Sequence, residues 1–254
     1  MIARVRAIVL DFYCTLTDPA AEGGRRAAFA ATAAALGVPA DDFWAAMSGT
    51  FRDRIVGRYG GTRDTLRAMA ARCGATVGDD TLDAALTVHR ARAADLRPPR
   101  PEALAVLDEL RGRGWRTALI SDCASELVES WAGTPYAARI DVPVFSWRSG
   151  CRKPDPRLYA AAAAGLGVPA EACWYVGDGG GGELAGARAA GMRPVLVTNA
   201  AYPGAGAYRV DADPYRPADA VDDLTGLLNL CGHPIGVGRS RRPVRPDRSD
   251  LSSE

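Results

Sequence analysis

The sequence predicts an α/β protein, a doubly wound parallel sheet with a bundle of helices inserted after its first strand. Three observations carry this. From residue 100 onward, short apolar runs alternate with helical segments, the pattern of a parallel sheet covered on both faces. The runs are dense in branched residues rather than alternating with polar ones, as strands buried on both faces are. Between the first run, residues 7–10, and the alternating part lies a block at 19–95 with helical periodicity alone.

The first strand, Ala-Ile-Val-Leu, ends at Asp11 and passes into Phe-Tyr-Cys-Thr-Leu-Thr-Asp. In an open parallel sheet ligands bind beyond the carboxyl ends of the strands, so Asp11 stands where chemistry is done. Asp also ends strands and starts turns for purely local reasons.

Four helices follow. Residues 24–36 are Ala-rich and stop at Gly37-Val38-Pro39. Asp41 or Asp42 is expected to cap a second helix through Phe43, Trp44 and Met47. Thr62 is expected to cap 63–73, and Asp79 or Asp80 to cap 81–95. Short links between them predict a compact bundle. Pro98 and Pro99 form the hinge out of it.

The alternating part reads as helix 101–113, strand 115–120 ending at Ser121-Asp122, helix 125–131, strand 142–145, helix 154–166, strand 173–176 ending at Gly177-Asp178, helix 183–190, and strand 194–197. Residues 220–230 are expected to be a last helix on the sheet. The two Leu-Gly-Val-Pro-Ala segments, at 36–40 and 166–170, are helix-stop chemistry rather than a repeat. The predicted domains are a sheet core from 1–18 and 96–231, a helical insert at 19–95 and a tail at 232–254. The tail is rich in Arg, Pro, Ser and Asp. It buries too little apolar surface to offset its ordering entropy, which predicts disorder.

Composition narrows the function classes. The 254 residues carry 31 basic and 30 acidic side chains, so no attraction to nucleic acid or an anionic membrane is implied. No apolar run is long enough to cross a bilayer, and the start of the chain lacks a signal-peptide layout. The expected location is the cytoplasm and the expected partner a small-molecule substrate, with the chain a monomer or homodimer. Cys14, Cys73, Cys123, Cys151, Cys173 and Cys231 show no zinc or redox spacing and read as free thiols, mostly buried. Cys14, Cys123 and Cys151 fall beside the motifs. The two histidines, His89 and His233, stand far from every motif in sequence and read as surface or structural residues.

A buried strand followed by Asp11-x-Tyr13-x-Thr15 resembles the first motif of the haloacid dehalogenase (HAD) superfamily. Ser121, Lys153 and Gly177-Asp178…Glu183 match its second, third and fourth motifs in order. The resemblance runs from residue 8 to about 200. It implies a Rossmann-like, HAD-type core with a helical cap of the C1 type over the active site.

The resemblance also implies roles. Asp11 would be the nucleophile, attacking the phosphorus of a phosphate ester or, in dehalogenases, the carbon bearing the halogen. Thr15 would hydrogen-bond that carboxylate or a phosphate oxygen. Ser121 and Lys153 would hold the phosphate, with Asp122 beside them. Lys153 would act with the N–H groups of the helix that follows it. Mg2+ is the expected cofactor, on Asp11, the Tyr13 carbonyl, Asp178 and, directly or through water, Glu183. Arg52, Arg54 and Arg58, with Trp44 and Phe51, are candidates to face the cleft, Arg54 being the one assigned to substrate binding.

Each motif also has a local reading. Ser121-Asp122 suits an N-cap, Arg-Lys-Pro a solvated turn, the glycines a flexible loop, and Glu183 a charge in a helix's first turn.

Tyr13 is the departure. HAD phosphatases carry a second Asp there as general acid and base, whereas dehalogenases carry Tyr. A phenol with a pKa near ~10 is poorly matched to proton transfer at neutral pH. The acidic pair Asp178 and Glu183 pulls the other way, because metal-independent dehalogenases usually lack it. The expected activity is therefore a Mg2+-dependent phosphatase. The rivals are a metal-independent 2-haloacid dehalogenase and a non-catalytic module that keeps the fold.

Overall fold

In the computed structural model, which describes residues 6–232, six strands form one sheet. They are β1 Arg6–Leu10, β2 Trp115–Ser121, β3 Val142–Phe145, β4 Cys173–Gly177, β5 Arg193–Val197 and β6 Asp219–Val221. All pair in parallel, in the order β3-β2-β1-β4-β5-β6. The chain builds outward from β1 to β3, returns, and builds outward the other way from β4. The switch point lies between β1 and β4, and open parallel sheets bind their ligands beyond the carboxyl ends of the strands at such a point.

The central strands are buried on both faces, as their continuous apolar runs require. Ile8 and Leu10 of β1 pack with Trp115, Leu119, Trp174 and Val176. On this face lie α6 Ala103–Gly112, α7 Ser125–Ser130 and α11 Thr225–Gly232. Ala7 and Val9 pack on the opposite face with Ala118, Ile120 and Tyr175, under α9 Pro156–Leu166 and α10 Glu183–Ala189.

Between β1 and β2 run α1 Arg25–Leu36, α2 Ala40–Gly49, the one-turn α3 Phe51–Arg54, α4 Thr62–Arg72 and α5 Asp79–Asp95. Their apolar faces close on a cluster of their own around Phe29, Phe43, Met47, Leu66, Met69 and Leu82. The strands of chain entering and leaving this block lie side by side. Thr17 bridges Pro99, the Asp18 N–H donates to the Pro98 carbonyl and the Arg100 N–H to the Leu16 carbonyl. A further one-turn helix, α8 Ser146–Ser149, receives the block: Ser146 Oγ donates to the Ile55 carbonyl and Trp147 Nε1 to that of Gly60.

The structure departs from the sequence reading at the helix starts. Gly61 and Gly78 stand at the N-caps where Thr62 and Asp79 or Asp80 were expected, and Pro39 replaces Asp41 or Asp42. Tertiary partners take these side chains. The Thr62 hydroxyl meets Ser125 Oγ, and Asp79 accepts from Arg63 and Arg67. Gly37 and Gly167 end their helices in the left-handed conformation, as the Leu-Gly-Val-Pro segments predict.

The expected helix 220–230 is also divided. Residues 219–221 form β6, with Thr198 N–H donating to the Val221 carbonyl, and α11 begins only after Asp223 accepts from the Thr225 N–H. A three-residue edge strand is too short for periodicity to reveal. Gly232, expected to open the tail, closes α11. The rest of the expected tail lies outside the described residues, as does His233.

His89 is buried in the inserted block rather than on its surface, stacked on Phe29. Thr32 Oγ lies 3.1 Å from the Ala28 carbonyl oxygen and 3.1 Å from His89 Nδ1, which ties the ring to α1. Burial pushes His89 below its ordinary value of 6.5. The folded protein thus resists a proton that the unfolded chain accepts. Its stabilising contribution is complete above that value and is lost as pH falls below it. Thermal melts from about pH 7.5 to about pH 5.5 are therefore expected to fall more steeply for the wild type than for His89→Phe.

Candidate active site

Asp11 is the first residue past β1, and its N–H donates to the Val176 carbonyl at 2.8 Å, extending the β1–β4 ladder by one residue. That bond sets Asp11 beside Gly177 and Asp178 at the switch point. The turn after it is tightly wound. The Phe12 carbonyl accepts from the N–H groups of Thr15, Leu16 and Thr17, and Cys14 takes a left-handed φ of 58°. The turn returns Thr15 Oγ to donate to Asp11 Oδ2 at 3.0 Å.

Lys153 reaches the same point from the far side of β2. Its Nζ lies 2.5 Å from Asp11 Oδ1 and 2.5 Å from Glu183 Oε2, and all three side chains are buried. Its backbone N–H donates to Asp122 Oδ1 at 3.0 Å. Burial works against the ammonium, but Asp11 and Glu183 outweigh it and hold Lys153 well above the usual lysine range.

Glu183 opens α10 and turns its carboxylate back under the glycine loop. Oε1 accepts from the Gly179 N–H at 2.8 Å, and Oε2 accepts from Tyr175 OH at 2.9 Å as well as from Lys153. Burial and the Asp11 carboxylate push Glu183 up. A Cβ on Gly177 would overlap Glu183 Oε1, so only glycine lets the carboxylate lie there. Asp178 is raised by burial and by Asp11, with Arg209 opposing: Arg209 Nε donates to Asp178 Oδ2 at 3.0 Å. Asp11, Asp178 and Glu183 each offer a carboxylate oxygen within 4.8 Å of the others.

The structure thus brings Asp11, Thr15, Lys153, Asp178, Glu183 and Asp122 together. Ser121 ends β2 with a buried hydroxyl that has no oxygen or nitrogen partner among the described residues; its neighbour is the Cys123 thiol, a weak hydrogen-bonding group. Ser125 rather than Ser121-Asp122 opens α7, and its N-cap is Ala124, so the local capping reading does not hold. Asp122 is raised by burial, with Lys153 opposing.

The Tyr13 ring lies against the Arg25 guanidinium of the inserted helices, and burial pushes its phenol above the ordinary range, with Arg97 opposing. The helix after Lys153 offers no anion site, because Asp155 caps it and accepts from the Arg157 N–H.

Among the arginines of the inserted helices, Arg52 pairs with Asp211 and Arg58 with Asp53, both at the surface. Arg54 is buried. It donates to the Met47 carbonyl, lies against Phe51 and has no carboxylate partner among the described residues, and its Nε is unpaired. Trp44 packs on Phe29. All six cysteines are free, and burial pushes the thiols of Cys14, Cys123 and Cys151 up, away from a nucleophilic thiolate.

Three residues escape a motif-based reading. Tyr175 sits inside an apolar strand, and nothing in the sequence says that its hydroxyl meets Glu183. Arg100, fully buried, donates to the Cys14 carbonyl and to Asn199 Oδ1, tying the turn after β1 to the loop after β5. Arg209 belongs to a loop without periodicity.

A strand-end carboxylate bridged to a lysine thus lies at the switch point of a parallel sheet, the place where such folds bind their ligands. The chain belongs to the haloacid dehalogenase-like hydrolase family, whose family model matches residues 5–191. Phosphoserine phosphatase of Thermus thermophilus is 33% identical over 190 residues, 73% of this chain and 70% of that protein. Among solved structures, 2-haloacid dehalogenase from Pseudomonas syringae pv. Tomato aligns with TM-score 0.63 at 23% identity, over 89% of this chain and 98% of that one. A HAD phosphatase from Thermococcus onnurineus aligns with TM-score 0.60 at 17% identity, over 90% and 98%. These two share the fold. No described helix is long and apolar enough to cross a membrane.

The close approach of Glu183 to Gly177 gives a direct test. Gly177→Ala forces the carboxylate away from Lys153 and is expected to cost about 2–3 kcal/mol in urea denaturation and to lower activity.

Proposed function

We propose that the chain is a Mg2+-dependent phosphatase of a small phosphorylated metabolite, acting through an aspartyl-phosphate on Asp11. The observation that carries this is the convergence of three buried carboxylates within 4.8 Å at the switch point.

The donor set fits a hard divalent ion. It is all oxygen, and its carboxylates outnumber the cations Lys153 and Arg209 that pair with them. Asp11 and Asp178 would hold the ion. The Tyr13 carbonyl, which accepts no hydrogen bond from the described residues, would join them. Glu183 would act through water, because both its oxygens already accept from protein donors. When bound, Mg2+ offsets charge between the carboxylate and the phosphate.

The protein's own steps follow. Ser121 and Lys153 orient the phosphate, and Thr15 and Lys153 fix the rotamer of Asp11. An Asp11 oxygen bonds to phosphorus as the ester P–O bond breaks. Water then cleaves the acyl phosphate and restores the carboxylate. The Tyr13 phenol stays protonated at neutral pH, so the leaving oxygen takes its proton from water, which favours substrates with good leaving groups.

The helical block at 19–95 serves as a cap over this site, with a core of its own and paired connecting strands in support. Arg54 is its substrate-binding cation. A buried guanidinium without a carboxylate partner suits a second anionic group on the substrate. The six free thiols accord with a reducing cytoplasm.

Tyr13 favours a second reading, a 2-haloacid dehalogenase that uses Asp11 without metal. Assays of phosphate esters and 2-haloacids with Mg2+ and with EDTA separate the two. Phosphate release that EDTA abolishes and Asp11→Asn eliminates is expected. Halide release that survives EDTA would replace this reading with the second. On the best phosphate ester, Arg54→Ala is expected to raise KM by about tenfold with a smaller change in kcat.

A further inference from the structure

We propose that Arg209 is a built-in cation that occupies Asp178 in the metal-free protein and competes with the divalent ion for it. The inference rests on the metal reading above and extends it to a segment, the loop between β5 and β6, that no motif includes.

Asp178 is almost wholly buried, and Arg209 is its one ion-pair partner among the described residues. A buried carboxylate left without a counter-charge is costly, so the metal-free site needs this partner. A guanidinium on Asp178 repels an incoming divalent ion at short range, whichever carboxylate oxygen the ion takes.

The loop is built to present this side chain. The Gly181 N–H donates to the Val210 carbonyl at 2.8 Å, and the Asp213 N–H to the Gly179 carbonyl at 2.8 Å. Asp213 Oδ2 accepts from the Ala185 N–H in the first turn of α10 at 2.7 Å. Between these ties Asp211 takes a left-handed φ of 52°, which a non-glycine residue keeps only where its surroundings fix it. Its carboxylate receives Arg52 at 2.5 Å and Arg152 at 3.0 Å, the first from the inserted helices and the second from the residue before Lys153.

The backbone of the loop is therefore fastened to the glycine loop, while the Arg209 side chain remains about one-fifth exposed. It can rotate into solvent without breaking those ties. The divalent ion meets a site that is already neutralised in part, and its apparent affinity is lowered by the fraction of molecules in which Arg209 sits on Asp178.

The test uses Mn2+ as the probe, followed by the loss of its free-ion resonance signal, on the wild type, Arg209→Gln and Arg209→Lys. Arg209→Gln is expected to bind Mn2+ about five- to tenfold tighter, and Arg209→Lys, which keeps the charge, to stay within about twofold of the wild type. In EDTA, Arg209→Gln is expected to melt below the wild type, and saturating Mg2+ is expected to close the gap. A merely structural arginine would leave the same deficit in both conditions. Equal or weaker binding by Arg209→Gln, or a deficit that Mg2+ does not narrow, overturns this inference alone. Failure of all three proteins to bind Mn2+ overturns the metal reading and this inference with it.

Discussion

The ammonium of Lys153, shared between Asp11 and Glu183 in a place nearly closed to water, is the constraint around which the rest is arranged. Each of these charges would be expensive to bury alone, and losing one partner would leave the others uncompensated. The three come from distant parts of the chain, after β1, before α9 and at the start of α10. Only a sheet that sets β1 beside β4 brings them to one point. The fold and the site are one electrostatic arrangement, and local changes near it act on both.

That arrangement explains residues that look incidental. Gly177 lacks a side chain because the Glu183 carboxylate lies over its Cα. Tyr175 interrupts an otherwise apolar strand because its hydroxyl completes the Glu183 partner set. Arg100, carrying a full charge into the interior, is spent on the Cys14 carbonyl, which holds the turn that returns Thr15 to Asp11. Each of them limits where Asp11 can point, directly or through Glu183 and Lys153.

Much of this was legible in the sequence, for a physical reason. Asp11, Ser121 and Asp178 stand at the ends of apolar runs, so strand periodicity alone delivers them to the carboxyl edge of the sheet. Gly37 and Gly167 stop helices through backbone freedom, a local property that composition reveals. What escaped was decided by tertiary contact. Thr62 carries a capping side chain, but Ser125 claims the hydroxyl, Glu129 accepts from the Thr62 N–H, and Gly61 serves as the cap instead. Asp219–Val221 is strand only because the edge of β5 is there to receive it. Arg209 meets Asp178 from 31 residues further along the chain, beyond α10 and β5, and no periodic signal spans that distance.

Tyr13 is where the two readings of the chemistry meet. Its phenol lies against Arg25 of the inserted helices, and burial pushes it above its ordinary range, so it keeps its proton at neutral pH. A residue there can exclude water and shape the substrate, and it leaves the backbone carbonyl beneath it unchanged as an oxygen donor. The absence of a second aspartate therefore removes a proton carrier and leaves the cluster of Asp11, Asp178 and Glu183 intact. The charges that remain at the strand ends are the three carboxylates and the two cations paired with them, Lys153 and Arg209, so the chemistry of the site is set by how those charges balance.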